Sequence, residues 1–383
     1  MDNIKLTKKL ISLPSYADNN QYEKAVSDFL YAYMQETYPW LKITKQYVAK
    51  NRYNIYATDG YPTKLLVVNH MDTVLPTAGW DNRPCKPIQK DQKIYGLGAS
   101  DTKGNISSFL STLDTFSQTK GLSILWYVDE EYDFRGMKKF IASYLAQAIN
   151  PEYILSIDGN NMDLGIACRG LLEYSLVIKG TSEHSACKQK QQVIETFMTL
   201  QYNLNQWLKS FGTDTLGTPS MNIARIRAGA RSGQDDDTFL NSANMTADYI
   251  ETIIEIRTTP VITYPLIKKY IQTNIFPYKD ISIELKLTHD ESGFETSRKK
   301  LTSLINILKK TNKDSDILDA STFGYLDVAM LGSVYPDANI FSCGIGTPGQ
   351  AHRPNEYIDI KNLKKGELLY RSILKQYIQT QEI

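Results

Sequence analysis

The 383-residue sequence predicts an α/β protein: a mixed, mostly parallel sheet with helices on both faces, carrying an inserted α+β domain of four antiparallel strands and two helices. Three observations predict it. Wholly apolar runs of strand length alternate with helix-period patterns, as they do where a sheet is buried on both faces. From residue 169 this texture gives way to alternation of polar and apolar residues, as in strands with one face in water. From about Ser297 the first texture returns, and the expected boundaries are 1–168, 169–290 and 291–383.

Each element has its own signal. Tyr22, Ala25, Val26, Phe29, Leu30, Tyr33 and Met34 share one face of a helix predicted over residues 22–36. Strands at 54–57 and 65–68 flank a Gly60-Tyr61-Pro62 turn, and a long loop through Trp80, Pro84 and Pro87 follows. Ile106, Phe109, Leu110, Leu113 and Phe116 trace a second helix, opened by the glycine-flanked turn that holds Asp101. The apolar run 122–128 is a buried strand ending in Asp129, Glu130 and Glu131. Met137, Phe140, Ile141, Tyr144, Leu145 and Ala148 trace a third helix, which leads through Pro151 to strand 153–157 and then Asp158. In the insertion, strands around Leu172–Ile178 and Ile281–Leu287 alternate; between them lie helix 193–211, strand 221–226, a polar segment 232–238 and a strand ending at Arg257. Strand 339–343 then feeds Gly344, Gly346, Pro348, Gly349 and His352.

Composition narrows the function. Lys plus Arg number 43 against 42 for Asp plus Glu, which leaves no electrostatic footprint for nucleic acid or an anionic membrane. A small neutral or zwitterionic substrate suits this balance. Cys85, Cys168, Cys187 and Cys343 are dispersed, without CxxC spacing, and read as free thiols in a reducing cytoplasm. Neither a signal peptide nor a membrane-length apolar run is visible.

Chemistry concentrates at strand ends. His70 and Asp72 close the run LLVVNHMD, and in extended chain a two-residue spacing points both to one face. His352 also follows a buried strand, and His184 sits in the small-residue loop GTSEHSA, whereas His289 has no such context and reads as structural. Two adjacent carboxylates, Glu130 and Glu131, at the end of a buried strand need positive charge, which a metal pair supplies. A His, Asp and Glu donor set without thiolate suits zinc, with manganese or cobalt as alternatives.

HMDTV, GASDTKG, DEE, a strand-end acid, the GTSEHSA loop, EIRTTP and AHRPNE follow one another in this order. Together they resemble the co-catalytic zinc aminoacylase and carboxypeptidase family of acetylornithine deacetylase, succinyl-diaminopimelate desuccinylase, glutamate carboxypeptidase and the di- and tripeptidases. The resemblance spans nearly the whole chain. It implies a zinc-peptidase-like fold with the insertion as lid and homodimer interface. It implies that His70 and Asp158 hold one zinc, Glu131 and His352 the other, and Asp101 bridges them. Asp72 then orients His70, Glu130 is the general base, His184 stabilises the oxyanion, and Arg257 clamps a substrate carboxylate. The loops 344–349 and 321–324 are expected to shape the cleft.

Three departures from the family pattern matter. Asp158 stands where deacylases and carboxypeptidases usually have Glu and where aminopeptidases and dipeptidases tend to have Asp, which tilts the expected substrate toward short peptides. After His184 the chain runs Cys-Lys-Gln-Lys-Gln-Gln, without the family's usual Pro and Gly-Asn-Ala pattern, and Cys85 replaces a common Phe. The expected activity is hydrolysis of an amide in a short peptide, with an N-acyl amino acid as the alternative. A catalytically silent peptide-binding module is disfavoured by the intact Glu130, and a two-metal phosphoesterase by the want of a basic cluster near the ligands.

Overall fold

The computed structural model describes residues 1–17, 22–187, 192–232, 235–275, 280–322 and 324–383. Parts of three predicted segments, the loop after His184, the polar segment 232–238 and the loop around Phe323, lie outside the described residues. The chain divides into two compact units, one of Met1–Ala167, Glu295–Asp319 and Leu326–Ile383, the other of Cys168–Phe294 and Ala320–Tyr325. The short segment around Ser321 belongs with the second unit, where its Cβ lies 2.5 Å from the position a Cβ on Gly217 would take.

The first unit is built on a six-stranded sheet. Its strands are β1 (Lys42–Ala49), β2 (Arg52–Thr58), β3 (Leu65–His70), β4 (Leu122–Tyr127), β5 (Tyr153–Ser156) and, after the insertion, β10 (Asn339–Ser342). The spatial order is β1-β2-β4-β3-β5-β10. β3, β4, β5 and β10 run parallel, while β1 and β2 form an antiparallel hairpin at one edge. The Gly60 turn therefore does not make a hairpin of β2 and β3, because β4 inserts between them.

Every residue of β3 and β4 is buried. Leu65, Val67, Leu122, Ile124 and Trp126 face a core shared with α1 (Asn3–Ile11), α2 (Lys24–Thr37), α3 (Gly104–Leu113), α8 (Thr302–Thr311) and α9 (Ile360–Tyr377). On the opposite face, Tyr56 of β2 packs its ring 5.9 Å from Phe140 of α4 (Arg135–Ile141). The predicted third helix is broken: α4 ends, and a four-residue α5 (Tyr144–Gln147) starts after Ser143, whose extended backbone interrupts the turn. The first helix, α1, is not among the elements read from the sequence, although Leu6, Leu10 and Ile11 are spaced for one face; its cap, Asp2, accepts the Lys5 N–H at 2.9 Å. The long loop after His70 contains two three-residue strands, Ile88–Lys90 and Lys93–Tyr95, completed by Tyr357–Asp359. Strands this short leave almost no periodicity to read.

The second unit is a four-stranded antiparallel sheet, in the order β7-β8-β6-β9, made of β6 (Gly170–Lys179), β7 (Ser220–Gly229), β8 (Tyr249–Thr258) and β9 (Ser282–Glu291). Leu172, Tyr174, Leu176 and Ile178 of β6 bury their alternate face against α6 (Val193–Lys209) and α7 (Tyr264–Ile275).

Glycines set the close approaches behind the strand ends of the first unit. A Cβ on Gly344 would stand 2.4 Å from the Gly159 carbonyl oxygen and 2.6 Å from the Asp158 carbonyl carbon. Gly346 donates its N–H to that same Gly159 oxygen at 3.1 Å. The glycine loop thus packs against the turn that carries Asp158. Gly344→Ala is expected to cost about 1–3 kcal/mol in chemical denaturation and to lower metal occupancy, read by elemental analysis; unchanged values for both would show that the turn is not held by this contact.

Candidate metal centre

Parallel register collects the polar residues. His70 lies opposite Tyr127, Val68 opposite Ser156, and Ser156 opposite Ser342, so β3, β4, β5 and β10 end along one edge of the sheet. Their following turns then deliver His70, Glu130 with Glu131, Asp158 and, by a longer loop, His352. Asp101 arrives from the turn before α3, where the Asp101–Thr102 peptide is cis.

Asp101 is the centre of the cluster. Its Oδ1 lies 3.2 Å from His70 Nε2 and its Oδ2 lies 3.3 Å from His352 Nε2. His352 Nε2 also lies 3.0 Å from Glu131 Oε2. Donor atoms of His70, Asp101 and Asp158 fall within 4.8 Å of one another, as do those of Asp101, Glu131 and His352, and those of His70, Glu130 and Glu131. Seven of the nine residues singled out in the sequence, Asp72 included, meet here in one unit; His184 and Arg257 are in the other.

Asp72 has two tasks. His70 Nδ1 is 3.2 Å from the Asp72 backbone carbonyl and 3.5 Å from its carboxylate, contacts that place the proton on Nδ1 and turn Nε2 toward Asp101. The same carboxylate accepts the backbone N–H of Glu130 at 3.1 Å and of Glu131 at 3.0 Å.

Charge in the cluster is unbalanced. Among the described residues, Asp101, Glu130, Glu131 and Asp158 pair with no lysine or arginine. Burial, reinforced by the Asp101 charge, pushes Glu131 up to about 7 and Asp158 up to about 6. Burial also raises Glu130 well above the usual carboxylate range, with Asp327, Glu131 and Asp158 adding to it. His352, hydrogen-bonded to Asp101 and Glu131, is raised to about 11. Against its burial, hydrogen bonds from His352 and from the doubly protonated ring of His70, which Asp101 and Asp72 raise well above the usual histidine range against its own burial, hold Asp101 low. An anionic, oxygen-rich cluster with two imidazoles fits divalent cations, and it fits two because each oxygen of Asp101 addresses a different histidine. His70, Asp158 and Asp101 could hold one ion, and Asp101, Glu131 and His352 another. Asp101 and Glu131 keep 17% and 6% of their side-chain surface exposed and His352 keeps 56%, so the cluster is open on the His352 side.

Several supports went unread in the sequence. Glu356 accepts the N–H groups of Gly98 at 2.8 Å, Ser100 at 2.7 Å and Asp101 at 3.0 Å, fixing the turn that presents Asp101. Lys103, buried, donates to the Leu13 carbonyl at 2.8 Å. Tyr127 donates to Asp327 at 2.8 Å, and burial pushes Asp327 up to about 7. Glu356 and Lys103 sit inside the AHRPNE and GASDTKG motifs, and Asp327 interrupts an apolar run, so each left a signal.

In the second unit, His184 is exposed and its Nδ1 accepts the Ala186 N–H at 3.1 Å, which assigns the proton of the neutral ring to Nε2. Arg257 donates Nε to Glu255 at 2.9 Å, while its Nη1 is buried without a hydrogen-bond partner.

The family model for peptidase family M20/M25/M40 matches residues 66–376. An acetylornithine deacetylase of Buchnera aphidicola is 27% identical over 396 residues, covering 98% of this chain and 97% of that protein. An M20 family metallo-carboxypeptidase from Sulfolobus solfataricus superposes with a TM-score of 0.80 at 15% identity, covering 98% of this chain and 99% of that one. A Bacillus subtilis M20 peptidase described as dinuclear metal binding superposes with a TM-score of 0.64 at 13% identity, covering 97% and 96%.

If Glu131, Asp158 and His352 ligate, each must release its proton, so cation affinity is expected to rise with pH through about 6 to 7 as the two carboxyls ionise and onward toward about 11 as His352 does, with protons liberated on binding. Titration calorimetry in two buffers of different ionisation enthalpy measures the release; proton-neutral, pH-independent binding would rule out this ligand set.

Proposed function

This chain belongs to peptidase family M20/M25/M40, a family of metal-dependent hydrolases, and from that membership we propose that it is a two-zinc amidohydrolase that cleaves a short peptide bearing a free carboxylate. The observation that carries the proposal is the Asp101 carboxylate between His70 and His352, with Glu130 beside His70 and Glu131.

When bound, the two cations would polarise the scissile carbonyl and acidify water. The protein's own groups do the rest. Glu130 takes the proton of the attacking water and returns it to the amine nitrogen as the C–N bond breaks. Its raised proton affinity suits a group that must hold a proton between the two transfers. Asp72 keeps His70 in the tautomer that offers Nε2. His184, with its proton on Nε2, donates to the oxyanion, and Arg257, with donors to spare after its Glu255 contact, takes the substrate carboxylate.

The inserted unit acts as lid and homodimer interface, a reading supported by Met198 and Tyr202, which α6 leaves 63% and 62% exposed. The protein is read as cytoplasmic and its substrate as small, in keeping with the free thiols Cys85, Cys187 and Cys343; among the described residues no helix is long and apolar enough to cross a membrane. Cobalt or manganese would suit the same nitrogen and oxygen donors.

Asp158 favours a peptide. The acetylornithine deacetylase relative favours the second reading, an N-acyl amino acid. Amine release from Ala-Leu and from N-acetyl-leucine, with zinc and with a chelator, separates the two: dipeptide cleavage lost on chelation is expected, and preferential release from the acetylated substrate would make the enzyme a deacylase. Glu130→Gln is expected to lower kcat by about 100- to 10,000-fold with both metals retained; full activity in that variant would remove Glu130 from the mechanism.

A further inference from the structure

The turn that bears Glu130 and Glu131 is gripped from both sides. Asp72 holds their backbone N–H groups from the end of β3. The second grip comes from β2, on the far side of β4. Ile55 lies opposite Trp126 in that antiparallel pair, and continuing the register three residues sets Arg52 opposite Asp129. The Arg52 guanidinium meets Asp129 Oδ1 at 2.6 Å through Nη2, and it is anchored in turn on Glu23 by Nε at 2.8 Å and Nη2 at 2.5 Å. All three side chains are 3% exposed or less. The ring of Tyr22 covers the guanidinium, its centroid 4.3 Å away.

Asp129 needs such an anchor. Its φ of +69° is in the left-handed region, where a non-glycine residue is strained. Its Oδ2 accepts Arg135 Nε at 2.8 Å, and its carbonyl accepts the Phe134 N–H at 2.8 Å, so the turn also closes onto α4. From the same strand β2, Asn54 accepts the Val128 N–H at 3.2 Å and donates to the Gly136 carbonyl at 2.8 Å. A buried Arg flanked by two carboxylates is a costly way to hold a fold together, since apolar residues of the same volume commonly do so as well or better. Its particular effect here is directional: the planar fork seats on Glu23 and so aims one Nη2 donor at Asp129 Oδ1, which fixes the direction in which the next two residues leave β4.

We infer that Arg52 is a positioning residue: acting through Asp129, it aims Glu130 and Glu131 at the metal centre. The assignment rests on the proposed roles of those two glutamates. Arg52→Met/Glu23→Met removes both charges at similar volume and leaves Asp129 with Arg135; Arg52→Lys keeps the charge without the fork. In the double variant, kcat per folded molecule is expected to fall about 10- to 100-fold, with KM within about twofold and two metals per chain. The visible absorption of the Co2+-loaded protein should shift as the Glu131 ligand moves. Arg52→Lys should change both readings in the same direction by less, and it carries the test alone if the double variant does not fold. A purely structural role would lower thermal stability but leave kcat per folded molecule and the Co2+ bands at parental values, and that result would overturn the inference. Should the parent protein hydrolyse no amide, the amidohydrolase reading fails by itself, and the Co2+ bands still decide: shifted bands keep the positioning role, unshifted bands remove it.

Discussion

The Asp72 carboxylate accepts two backbone N–H groups, those of Glu130 and Glu131, while the same residue's carbonyl takes the Nδ1 edge of His70. One residue thereby sets the distance between the ends of β3 and β4 and the orientation of an imidazole. An aspartate suits the task because its short stem leaves few rotamers and its two oxygens can accept two N–H groups at once. The residues of the candidate metal centre come from five separate segments, and Asp72 links two of them, the one ending in His70 and the one carrying Glu130 and Glu131.

Comparable supports surround the other donors. Glu356 gathers three N–H groups of the Asp101 turn, and Gly344 and Gly346 let the backbone after β10 approach the Asp158 turn more closely than any side chain would allow. These contacts are backbone-directed. They fix where a donor starts rather than where its tip ends, and that suits a site whose tips must adapt to cations and substrate.

The electrostatics follow from the same geometry. Parallel strands that end together crowd carboxylates into a partly buried edge, where burial raises Glu130, Glu131 and Asp158 while the two histidines hold Asp101 low. Like charges crowded in this way are costly to a fold and useful to a metal site, because bound cations relieve the repulsion. The carboxylates differ: Asp101 is held ionised between two imidazoles, whereas burial raises the proton affinity of Glu130.

Much of this protein is legible in its sequence. Apolar runs such as LLVV and SILWYV mark buried strands because a sheet covered on both faces leaves no polar side to show. The alternation of Leu172, Tyr174, Leu176 and Ile178 marks the half-exposed strand of the insertion for the complementary reason. The candidate site residues His70, Asp101, Glu130, Glu131, Asp158 and His352 stand out because polar residues directly after such runs, or in glycine-bounded turns, have no role in the core. What the sequence could not disclose depends on contacts between segments far apart in the chain. Asp129 and Arg52 are separated by 77 positions and meet only because β4 inserts beside β2. Glu356 reaches Asp101 across 255 positions, and the break between α4 and α5 depends on an extended backbone at Ser143 that helical periodicity runs straight through. Local patterning thus determined the elements and the donor types, because burial and periodicity act over a few residues. Strand order and the buried polar anchors were decided by the tertiary structure, because they are set by which strand ends the sheet brings side by side.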